Sequence, residues 1–96
     1  MEIKGSYKLI YTIDEILNEL VINVELKQIT GLIQPFQNIY HGIAYVNGSI
    51  YLKKDLSHCI DAKLAAEELG IELKEKLKKK LRKEGKSFRF KKEEIK

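Results

Sequence analysis

The chain has 96 residues, 44% of them hydrophobic and 33% charged, which is enough for one modest core and too short for a second. That balance excludes wholesale disorder, and no run of about 18 apolar residues exists to span a membrane. The formal net charge of +4 is unevenly divided: residues 1 to 73 hold six Lys against ten acidic side chains, and residues 74 to 96 hold twelve Lys or Arg against four Glu. A mildly acidic body with a strongly basic end points to a polyanion or an acidic protein surface as partner. Cys59 is the single cysteine, so no internal disulfide forms, and the start MEIKGSYK lacks the apolar core of a signal peptide. The expectation is a cytoplasmic protein without a membrane role.

In chain order, Tyr7, Leu9 and Tyr11 alternate with Lys8 and Ile10, the period of a strand. Thr12 and Glu15 have the spacing of a capping box ahead of Ile13, Ile16, Leu17 and Leu20, which predicts a short helix over 13–20. Ile22, Val24 and Leu26 alternate again as a half-buried strand running toward Thr30, and Gly31 and Pro35 break the next stretch into a turn or irregular crossing. Ile39–Val46 and Ser49–Lys53 flank Asn47-Gly48, a dipeptide that supplies the positive φ angles of a two-residue hairpin turn. Both faces of this hairpin carry apolar groups, which predicts a central place in the sheet.

Asp55 or Ser57 is placed to cap a helix reaching Leu69, with Gly70 as its C-terminal stop. A second, basic helix then starts at Ile71, with Leu73, Leu77 and Leu81 in one stripe. Ser87–Lys91 reads as a last strand, and Glu93–Lys96 as a fraying end. The expected fold is a single α+β domain over residues 1–92: a small mixed or antiparallel sheet of four to five short strands, packed against a helix, with a basic C-terminal helix.

Ala65–Ile71, AAEELGI, resembles the first helix and turn of a helix-turn-helix, in which a small residue packs under the second helix and Gly permits the turn. Lys76 departs from it where a branched apolar residue is wanted, and Glu72 stands where Ser or Thr would cap the recognition helix. The order helix, three strands, helix over 13–69 is similar to the double-stranded RNA-binding domain, with Ala62, Lys63, Ala65 and Ala66 echoing the start of its last helix. There the departure is that Cys59 and Ile60 replace the paired lysines that touch phosphates.

Catalytic chemistry has few candidates. His58 and Asp61 share a helix face at i, i+3, and His41 lies on the hairpin, which leaves a small nuclease as a distant reading. Two His and one Cys without paired spacing make a poor zinc set, and no Gly-rich loop suits a nucleotide, so no cofactor is expected. The main expectation is a non-enzymatic nucleic-acid-binding or regulatory protein that contacts phosphates through Lys76, Lys79, Lys80, Arg82, Lys83, Lys86 and Arg89. Phe88, Phe90 or a surface of Tyr40, Tyr45 and Tyr51 is available to stack on bases. The alternative is a protein-interaction module or inhibitor that binds an acidic protein partner, with the leucine stripe filling a partner's groove or a homodimer seam.

Overall fold

The computed structural model describes residues 3–28, 38–56 and 61–96. Four strands, β1 (Ile3–Ile13), β2 (Ile16–Gln28), β3 (Asn38–Val46) and β4 (Ser49–Leu56), are followed by one helix, α1 (Ala62–Lys83), and a last strand, β5 (Phe88–Ile95). The sheet order is β4-β3-β2-β1-β5 and every neighbouring pair is antiparallel. The first four strands form a meander, and α1 crosses one face to deliver β5 to the free edge of β1.

Alternation decides which side chains meet the helix. Tyr7 pairs with Ile22 and Leu9 with Leu20, and Ile22 pairs in turn with Ala44, so these residues form rows on one face. Their side chains are buried with Tyr11, Val24, Leu56 and the α1 residues Ala62, Ala65, Ala66, Leu69 and Leu73. The opposite face is open and carries Lys8, Glu19, His41, Asp55 and Arg89 among half-buried Ile10, Val21 and Ile43.

The helix expected over 13–20 is instead a β-hairpin. Asp14 and Glu15 form its two-residue loop, both at positive φ (49° and 70°), and Ile13 pairs with Ile16. A paired ladder from Gly5 to Ile13 outweighs one local capping box, because each pair adds a backbone bond and a buried row. Asn47-Gly48 does form the hairpin of β3 and β4, with φ of 50° and 83°. It lies at the sheet margin, since β4 is an edge strand.

No helix ends at Gly70. The helix is continuous from Ala62 to Lys83, and Gly70 is buried where a Cβ would fall 2.5 Å from the Tyr7 ring. The glycine therefore serves close approach of helix to sheet. Asp61 is the N-cap, accepting from the Lys63 N–H at 2.8 Å, whereas Asp55 belongs to β4. At the other end Gly85 and Lys86 donate to the carbonyls of Arg82 and Leu81, at 3.1 and 3.0 Å, which ends the helix in a Schellman pattern.

The basic stretch is accordingly the second half of this one helix, not a separate C-terminal helix. Strand β5 continues to Ile95, and Lys96 exchanges both backbone bonds with Ser6 at 2.9 and 3.0 Å, where fraying was expected from Glu93. Neither motif resemblance survives: Ala65–Ile71 contains no turn, and the leading helix required by the RNA-binding likeness is a strand pair. The crossing near Gly31 and Pro35, and Ser57, His58, Cys59 and Ile60, lie outside the described residues.

Candidate partner-binding cleft

Small residues bring the first half of α1 close to the sheet, whereas leucines hold the second half further off. Ala62, Ala65, Ala66 and Gly70 are buried around Leu69 in the first part, and Leu73, half-buried Leu77 and Leu81 continue from Leu69 at four-residue spacing without small residues between them. A straight helix on a twisted sheet loses contact toward one end. Here that end is the one where both hairpins turn, and a cleft of about 330 Å³ opens between helix and strands. Such a volume is near the lower end for ligand sites.

Tyr11, Ile13, Leu20 and Val46 supply the sheet side of the cleft, and Leu73, Leu77 and Leu81 the helix side. Lys76, Lys80, Lys86, Glu84, Asn18 and Tyr51 complete it. Lys76 is paired with Glu72 at 3.3 Å and Lys86 with Glu84 at 3.4 Å. Lys80 has no carboxylate partner among the described residues. Lys54 and then Lys76 hold the Glu72 carboxyl below its usual range, so this acid stays ionised beside the cleft. Burial pushes the Tyr11 hydroxyl up, with a smaller contribution from Tyr51, and keeps it neutral.

The mouth is pinned by asparagines. The Asn47 side chain accepts from the Glu19 N–H at 2.8 Å and donates to Asn18 Oδ1 at 2.9 Å, while Asn18 donates to the Ile16 carbonyl at 2.9 Å. The two hairpin tips are thus joined twice, side chain to backbone by the Glu19–Asn47 bond and side chain to side chain, across 29 residues, by the Asn18–Asn47 bond. Asn47 read in sequence as a turn residue only; its second role needs the neighbouring strand and has no local signal.

The seven expected cationic residues divide. Lys76, Lys80 and Lys86 converge on the cleft. Lys83, three residues after Lys80, shares its side of the helix, whereas Arg82, two residues after it, points roughly 200° away. Lys79, Arg82 and Lys83 are exposed without an ion-pair partner among the described residues. Arg89 pairs across the ladder with Thr12 and so lies on the open face, away from the helix.

The aromatic side chains do not make one stacking surface. Phe90 packs edge-on to Tyr11 at 6.3 Å and against Phe88 at 5.6 Å, and the Lys74 and Lys78 ammonium groups cover its ring at 5.1 and 5.6 Å. Tyr40 and Tyr45 fall on opposite faces of β3. Tyr7 is fully buried, its hydroxyl without a partner of hydrogen-bonding geometry. Burial first, then the nearby Glu93 carboxylate, raises that phenol well above its ordinary range.

His41 Nδ1 lies 2.8 Å from Asp55 Oδ1 on the open face, with Glu25 opposite it on β2. No group of three His, Cys, Asp or Glu side chains suited to a metal occurs among the described residues. No helix is long and apolar enough to cross a membrane among the same residues. Comparison of the chain with protein-family models, curated proteins and solved structures finds no match.

Proposed function

We propose that the chain is a non-enzymatic binding module that takes an acidic, amphipathic protein segment into the cleft between α1 and the two hairpins. One observation carries the reading: an unpaired Lys80, flanked by Lys76 and Lys86, borders a cleft whose walls are mainly Leu, Ile, Val and Tyr side chains. Apolar walls favour an occupant with aliphatic side chains, and the cations favour carboxylates at its edge. A phosphodiester chain meets only the second demand. Its sugars and phosphates leave the leucines uncovered, and the phenylalanines that would stack on bases are already packed.

Nucleic acid stands as the second reading because Lys79, Arg82 and Lys83 occur within about one helical turn without carboxylate partners, a density that phosphates would neutralise. Titration separates the two. A synthetic peptide alternating Glu and Leu is expected to bind, and Lys80→Glu to weaken it at least about tenfold, while Lys79→Glu changes little. Tighter binding of single-stranded RNA or duplex DNA, falling steeply with salt and lost equally in both variants, would replace this reading with the second.

A further inference from the structure

The geometry points to a specific occupant: we infer that the cleft receives the hairpin tip Asp14–Leu17 of a second copy of this chain, giving a two-fold dimer joined end to end. The inference rests on the acidic-partner reading and names the partner. The tip has the composition that the cleft asks for. Ile16 and Leu17, at 69% and 65%, are the most exposed large hydrophobic side chains among the described residues, and they stand next to each other at the tip. Beside them Glu15 is exposed and has no partner among the described residues, whereas the Asp14 carboxylate already accepts from the Ser87 N–H at 3.2 Å. An unpaired acid next to two uncovered aliphatics therefore matches an unpaired Lys80 next to an apolar cleft.

Placement allows the contact to close on itself. The tip and the cleft occupy the same end of the molecule, because Ile13 and Asn18, on either side of the tip, are themselves cleft residues. A surface patch that carries both the donor and its receptor a few residues apart is self-complementary about a two-fold axis, so tip enters cleft twice in one interface. Had the two been at opposite ends, the same contact would have propagated into a filament. The tip is also preorganised: the Asn18–Asn47 and Glu19–Asn47 bonds fix it against the β3–β4 hairpin, so little order remains to be imposed on association. Ile50, 58% exposed on that second hairpin, extends the uncovered surface at this end.

Sedimentation equilibrium of the full chain over a range of concentrations tests the inference. A monomer–dimer equilibrium is expected, with Glu15→Lys and Lys80→Glu each raising the dimer dissociation constant at least about tenfold and the double variant recovering most of that loss. Both side chains are exposed, so each variant is expected to keep its fold, which circular dichroism checks. Leu17→Asp is expected to abolish the dimer. A monomer at every concentration, or a dimer indifferent to both charge reversals, overturns the inference. The Glu-Leu peptide added to the Glu15→Lys variant, whose cleft is intact, separates the two levels: binding there without a wild-type dimer leaves the acidic-partner reading standing, and its absence removes both.

Discussion

Glu15 has a backbone conformation that its side chain disfavours. At φ 70° it occupies the second loop position of a hairpin whose first position, Asp14, is also left-handed at φ 49°. Asp tolerates that region through its short polar side chain, but Glu has no such help, and Gly is the residue that two-residue hairpin loops prefer there. Glu15→Gly is therefore expected to raise the stability of the monomer by about 1 kcal/mol, read as a higher urea midpoint with an unchanged slope. The same substitution removes the unpaired carboxylate from the tip and is expected to weaken self-association. A gain in stability coupled to a loss of binding is the pattern of a residue held in place by function. No loss of dimer on Glu15→Gly would dissociate the strain from the contact.

Helix α1 and strand β5 are held together by a small charged and aromatic cluster. Lys74 Nζ lies 2.8 Å from Glu93 Oε2 and covers the Phe90 ring, and Lys78 covers the same ring from the next turn. Lys74 is the main cause that holds the Glu93 carboxyl below its usual range. A depressed carboxyl pKa contributes stability that is present above the unfolded value, about 4.3 for Glu, and is lost as pH falls through the folded value. Stability is thus expected to decline as pH drops below about 4, with a shallower decline in Glu93→Gln, measured by urea unfolding across that window. Elements are legible in the sequence where the signal is periodic or carried by a turn dipeptide, as in β1, the second strand and Asn47-Gly48. They are not legible where a local motif has two meanings. Thr12 and Glu15 satisfy a capping box, yet ten paired positions between β1 and β2 favour the ladder, and that pairing is a long-range fact about Tyr7, Leu9, Leu20 and Ile22. Gly70 is equally ambiguous in sequence, because a helix stop and a close contact both call for a missing Cβ; the Tyr7 ring decides between them. The cationic cleft was half legible: the lysine density was plain, but which lysines converge depends on the helix running unbroken past Gly70.

For the whole molecule, the division into an acidic body and a basic end does not divide the core. The basic end supplies buried Leu81 and the partly buried Leu77, Phe90 and Ile95, and its strand β5 joins the earliest strand of the chain. The fold therefore closes between its two termini, with Tyr11 opposite Phe90 and Tyr7 opposite Ile95. Hairpins β1–β2 and β3–β4 need only two-residue loops, whereas β1–β5 pairing must close nearly the full length of the chain. Closure entropy grows with loop length, so the local meander is expected to form first and β5 to dock late, with folding in the millisecond to second range typical of non-local β pairings. Phe90 tests the order of events. Its ring is half-buried against Tyr11 and capped by two ammonium groups, so Phe90→Ala is expected to cost about 2 kcal/mol. If β5 joins after the rate-limiting step, nearly all of that loss falls on unfolding: the unfolding rate rises by more than tenfold and the folding rate stays within about twofold, as read from the two arms of a stopped-flow chevron. A folding arm slowed in proportion to the lost stability would instead place β5 in the nucleus and make closure of the termini the first event.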